Sequence, residues 1–139
     1  KLKKEKWNTY VLLSDGEMDE GSNWEALMFA SHHNLNNLTA IIDYNKLQSL
    51  DTIENTLNLE PLKEKLESFG CHVIDTDGHD HNQLCSAFLE SSEKKPKVVI
   101  ANTIKGKGVS FMENSVAWHY KSPNKNELDL SLEEILNEK

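Results

Sequence analysis

The sequence predicts an α/β protein, a three-layer sandwich of helices around a parallel sheet. Four short apolar, β-rich runs, opening at Thr9, Leu38, His72 and Lys97, alternate with helical stretches. Strand–helix–strand repetition builds a parallel sheet, and such sheets are covered on both faces. Length bounds the answer: 139 residues allow one domain with a real core, or one plus a tail, and hardly two.

Thr9-Tyr-Val-Leu-Leu-Ser14 reads as a buried strand that stops at Asp15-Gly16. Asp15 to Gly21 is a loop, and Ser22 with Glu25 has capping-box spacing for a helix over 23–33. Ala26, Leu27, Phe29 and Ala30 would be its apolar side. Leu38-Thr-Ala-Ile-Ile-Asp43 is the second strand, followed by a loop of about fifteen residues, long enough to suggest function. Pro61 suits the first turn of a helix running to Phe69, with Gly70 closing it. His72-Val-Ile-Asp75 is a third strand, Asp77-Gly78 a turn, and 80–91 a helix with Leu84, Ala87 and Phe88 inward. Lys97-Val-Val-Ile-Ala101 is the fourth strand, and Lys105-Gly-Lys-Gly108 opens a final loop. Residues 126–139 form a tail with a short amphipathic helix through Leu130, Leu132, Ile135 and Leu136.

Composition narrows the function classes. A net charge of −8 argues against nucleic acid as the main partner. No apolar run approaches a membrane span, and no signal-peptide pattern opens the chain. Cys71 and Cys85 make no disulfide framework and fit a reducing, cytoplasmic setting; both are expected in or near the core. All 15 basic residues are Lys, so no bidentate guanidinium clamp is available. Residues 8–45 carry six acids and no Lys, which reads either as a solvated acidic loop or as a segment that attracts a cation.

Parallel sheets place ligands beyond the carboxyl ends of their strands. Asp15 follows the first strand and Asn45 the second. A carboxylate and an amide oxygen are hard donors that suit Mg²⁺ or Ca²⁺ rather than Zn²⁺. Mg²⁺ commonly completes its shell with phosphate oxygens and water. Gly16 lets a phosphate approach the backbone, and the helix that follows favours an anion. The residues alone therefore read as a Mg-diphosphate site, or as two ordinary turns.

The fuller pattern carries a resemblance. Ser14-Asp15-Gly16-Glu17, Glu20-Gly21, Glu25-Ala26, Asn36-Asn37-Leu38 and Asp43-Tyr44-Asn45-Lys46 together resemble the thiamin diphosphate motif, Gly-Asp-Gly followed by a distant Asn. Within that superfamily the chain resembles transketolase, and 104–114 with Trp118-His119 fits the end of the same domain. The resemblance implies the thiamin diphosphate-binding fold, in part, over 1–125, followed by the tail at 126–139. It implies Mg²⁺, with Ca²⁺ or Mn²⁺ able to substitute, held by Asp15, Asn45 and the Leu47 carbonyl. Asp15, Gly16, Glu17, Asn45, Leu47 and Lys105 would contact the cofactor. Glu20 would lie near the subunit contact, Glu25 would face its counterpart across a dimer, and His119 would face cofactor and substrate. The implied reaction transfers a two-carbon ketol unit from a ketose phosphate to an aldose. Carbanion stabilisation belongs to the cofactor; the protein positions and polarises.

The chain departs from the family pattern. Ser14 replaces the first Gly of the motif. The half of the domain that precedes the motif, and the pyrimidine-binding domain, have no counterpart here. A transketolase piece or one component of a split enzyme is implied, with a pyrimidine-domain subunit or domain as partner in a homodimer or heterotetramer. Rival readings are a deoxyxylulose-phosphate synthase-like enzyme, a ketol transferase for a specialised sugar, or a non-catalytic interaction module. Asp77-Gly78-His79-Asp80-His81 has the spacing of a metal cluster or of a turn with Asp80 as helix cap. His32-His33 suits a helix C-terminus, and His119 is either a substrate contact or a packed loop residue.

Overall fold

The computed structural model describes residues 6–137. The ends of the expected 1–125 unit and of the 126–139 tail lie partly outside the described residues. The chain runs β1 (Thr9–Ser14), a 3₁₀ turn (Gly16–Asp19), α1 (Gly21–His32), β2 (Leu38–Tyr44), α2 (Ile53–Thr56) and α3 (Leu62–Ser68). It continues through β3 (His72–Asp77), α4 (His81–Leu89), β4 (Lys97–Asn102), a 3₁₀ turn (Val116–His119) and α5 (Lys125–Asn137). All strand pairs are parallel, in the order β1-β2-β4-β3. The expected α/β sandwich is therefore the observed one.

Strand alternation separates two faces. Ala40, Ile42 and Tyr44 of β2 and Val98 and Ile100 of β4 share one. They bury against Leu27 of α1, Ile53 of α2, and Leu62 and Leu66 of α3. The opposite face meets α4, where Lys97 sends its ammonium to the carbonyls of Ala87, Phe88 and Glu90, each at 2.8 Å.

β1 departs from expectation. It is a strand over the expected span, but Tyr10, Val11 and Leu12 are 55%, 38% and 68% exposed. The cause is its place at the sheet edge, with a neighbour only on the β2 side. α1 also differs. Ser22 is not its cap; Glu20 is, without a side-chain bond, and the helix is tied down by Asn23 Nδ2 to Glu17 O and Trp24 Nε1 to Met18 O. Leu27 and Ala30 are buried, whereas Ala26 and Phe29 are exposed.

The long loop after β2 is partly ordered by α2 and by a bridge between Leu47 and Thr52. Pro61 is the residue before α3 rather than its first, and Gly70 ends the helix with φ +85° as foreseen. Asp80 caps α4 by accepting from Asn82 and Gln83 N–H. Cys71 is buried, but Cys85 is exposed on α4. α5 forms, yet Leu130, Leu132, Ile135 and Leu136 all stay exposed and only Ser131 is buried.

Candidate functional site

The register of β1 on β2 pairs Ser14 with Asp43. Asp15 and Asn45 therefore leave adjacent strands at the same end of the sheet. Asp15 is 2% exposed, and its two carboxylate oxygens accept the Gly16 N–H at 2.8 Å and the Lys46 N–H at 2.7 Å. The second bond ties Asp15 to the residue after Asn45. Asn45 Oδ1 accepts the Leu47 N–H at 3.0 Å, which fixes the amide in its turn.

These groups line one cleft of about 400 Å³, with Ser14, Gly16, Glu17, Glu20, Asp43, Leu47, Gln48, Ser49, Lys105, His119 and Tyr120 on its walls. Of the residues expected at the site, Glu25 alone lies elsewhere, on the exposed side of α1. A larger hollow of about 570 Å³ shares Asn45 and Leu47, but neither Asp15 nor Lys105 reaches it. Among the described residues, no three His, Cys, Asp or Glu side chains gather as a metal cluster. This includes the Asp77–His81 segment, which is a turn and a cap.

Two residues of the motif have contacts that spacing concealed. The Glu17 carboxylate turns back to accept the Ser14 N–H at 2.8 Å and the Ser14 hydroxyl at 3.1 Å, while Ser14 Oγ accepts the Glu17 N–H at 3.2 Å. This is a reciprocal capping box, three residues apart, and it brackets Asp15. The signal was legible as Ser-x-x-Glu at 14–17, one loop ahead of the pair at 22–25. The Gly16 N–H is occupied by Asp15's own carboxylate. A Cβ at Gly16 would meet Gln48 at 3.7 Å, occupying cleft space without a clash.

The electrostatics fit a cation. Burial pushes the Asp15 carboxyl above its usual range; the Lys46 and Gly16 N–H groups offset part of this, Asp43 adds to it and Lys105 opposes it. A buried carboxylate beside a second acid is under-compensated, and a divalent ion supplies the missing charge. One carboxylate, one amide oxygen and nearby carbonyls make an oxygen-donor set. Gln48 adds a buried side-chain nitrogen without a hydrogen-bond partner in this wall, a donor suited to an anionic ligand. Sequence reasoning missed Gln48, Asp43 and Tyr120, which carry no motif signal.

Comparison with known proteins agrees with this geometry. The family described as "Transketolase, thiamine diphosphate binding domain" matches residues 3–134. One of the two subunits of the apulose-4-phosphate transketolase of Actinobacillus succinogenes is 46% identical over 131 residues, 93% of this chain and 47% of that protein. Human transketolase is 39% identical over 132 residues, 95% of this chain and 21% of its own. The crystal structure of Campylobacter jejuni transketolase superposes with a TM-score of 0.87 at 27% identity, covering 94% of this chain and 21% of that one. The chain thus spans about half of its subunit-sized relative and a fifth of the full-length enzymes. It belongs to the transketolase family, within its thiamin diphosphate-binding domain.

Proposed function

We propose that the chain supplies the Mg-diphosphate anchor of a thiamin diphosphate-dependent ketol transferase. The observation that carries this is the buried, under-compensated Asp15 carboxylate tied to the Asn45 turn in one cleft. Asp15, Asn45 and the Leu47 carbonyl would hold Mg²⁺, for which Ca²⁺ or Mn²⁺ could stand in. Gly16 leaves cleft space for the diphosphate. Lys105 lines the cleft beside it and would add positive charge toward the phosphates. Glu17 would act through Ser14, by holding the turn, and not by touching the cofactor. His119 and Glu20, on the cleft walls, would meet substrate and the subunit contact respectively. Glu25, outside the cleft, would serve only at a subunit boundary. When bound, the cofactor stabilises carbanions; this chain's residues bind, orient and neutralise its charged end.

The proposed unit covers residues 1–125, with 126–139 as a tail. Substrates would be a ketose phosphate and an aldose, in cytoplasmic carbohydrate metabolism such as the pentose phosphate pathway. No helix among the described residues is long and apolar enough to cross a membrane. A pyrimidine-domain subunit or domain would complete the site, in a homodimer or heterotetramer. A second reading keeps the chemistry and changes the sugar. It is favoured by the high identity to a protein whose name specifies apulose-4-phosphate. Incubating the chain with a pyrimidine-domain subunit, cofactor, Mg²⁺ and labelled ketose tests both. An aldose lengthened by two carbons supports ketol transfer, and the preferred acceptor separates the two readings. Absence of any transfer by an assembled complex would leave an interaction module.

A further inference from the structure

We propose that His79 is a positioning residue for the loop that carries Lys105, a role that rests on the cofactor reading above. The loop from Ile104 to Ser115 is tightly built within itself. Asn114 N–H reaches Lys105 O at 2.9 Å, and Gly108 N–H reaches Glu113 Oε1 at 3.2 Å. Gly106 sits at φ +75°, where an added Cβ would lie 2.6 Å from Met112 O. A loop this closed moves as one piece, so its attachment to the sheet decides where Lys105 points.

Its stem is attached at two successive residues. Thr103 bonds through its hydroxyl to Asp43 and through its N–H to Tyr44 O at 3.3 Å, both on β2. Ile104, next along, donates its N–H to His79 Nε2 at 2.8 Å. An N–H can donate only to an unprotonated ring nitrogen, so the ring carries its proton on Nδ1.

The base that presents this ring is rigid. His79 N–H bonds to Asp77 Oδ1 at 2.8 Å, and Asp80 caps α4. Gly78 lets the turn lie against the end of β4: a Cβ there would come within 2.4 Å of Thr103 Cγ2 and 3.0 Å of Asn102 O. The Gly78-His79-Asp80 sequence thus gives a close approach, an acceptor for the loop and a helix cap, in that order. β4 ends at Asn102, so the Ile104 N–H has no ladder partner and the ring stands in for one.

Amide exchange at Ile104, read by NMR in the 139-residue chain, and calorimetric titration of thiamin diphosphate with Mg²⁺ test this together. In His79→Ala, Ile104 should exchange about 10-fold faster and the cofactor Kd should rise about 5–10-fold, the scale of one lost hydrogen bond. His79→Gln, whose Oε1 can accept the same N–H, should restore both to within about 3-fold. Unchanged Ile104 exchange in His79→Ala overturns the bond. Faster exchange with an unchanged Kd overturns the positioning role while leaving the cofactor reading intact. A wild-type chain that binds no cofactor overturns the cofactor reading and the positioning role with it.

Discussion

Asp15 concentrates the chemistry of the site in one carboxyl group. Its pKa is raised by burial, so in the absence of metal the folded state holds its proton more tightly than the unfolded chain. That contribution to stability is complete below the unfolded value and is lost as pH rises through the folded one. Metal binding needs the opposite, an ionised carboxylate. The rise in Tm produced by Mg²⁺ with thiamin diphosphate should therefore be large near pH 7 and vanish toward about pH 4. An equal rise at both values would remove Asp15 from the ligand set. Glu60 has the other sign. The Tyr44 hydroxyl, first, and the Leu62 N–H hold its carboxyl below the usual range, so it favours folding at neutral pH. Asp15, Asn45, Lys105 and His119 were legible because oxygen donors and charge at strand ends carry meaning by position alone. Glu17 and Gln48 were not, since their roles depend on which way a side chain turns inside a loop.

At the level of elements, strand and helix positions followed from alternation and capping, and their ends differ by only a few residues. What spacing could not decide was which of two equivalent boxes forms. Ser14–Glu17 and Ser22–Glu25 share the same separation, and the first prevails at the turn that carries Asp15. α1 starts instead on Asn23 and Trp24 side chains bonded to the preceding 3₁₀ turn. Lys97 shows how a strand holds a helix. It is 6% exposed, opens β4, and its ammonium closes the last turn of α4 through three carbonyls. Burial draws its pKa down, while the Glu90 charge pulls the other way. Lys97→Met keeps the apolar stem and leaves those carbonyls without their donor. Chemical denaturation should show a loss of about 2–3 kcal/mol. A loss under about 0.5 kcal/mol would mean that water replaces the ammonium freely.

Across the whole molecule, the apolar surface is divided unevenly. One sheet face and the β3–β4 side of the other are covered, while β1 shows Tyr10, Val11 and Leu12 at an open edge. A one-dimensional pattern reads such a run as buried, because hydrophobicity records what a strand needs and not whether a neighbour is present. An exposed apolar edge strand is a template for further pairing. The isolated chain should associate with rising concentration in sedimentation experiments, and Leu12→Lys should shift it toward monomer. Identical sedimentation of both forms would clear β1 of that role. The cleft lies at the carboxyl end of this same edge strand, so whatever completes the sheet edge also stands beside Asp15.

The central claim, that Asp15 and the Asn45 turn anchor a Mg-diphosphate, is tested most directly by calorimetry. Thiamin diphosphate is titrated into the wild-type chain and into Asp15→Ala, each with Mg²⁺ and again with EDTA. Binding by the wild type with Mg²⁺ alone, absent from the other three arms, is the predicted result. Binding that persists in EDTA or in Asp15→Ala, or no binding by folded wild-type protein, would contradict it.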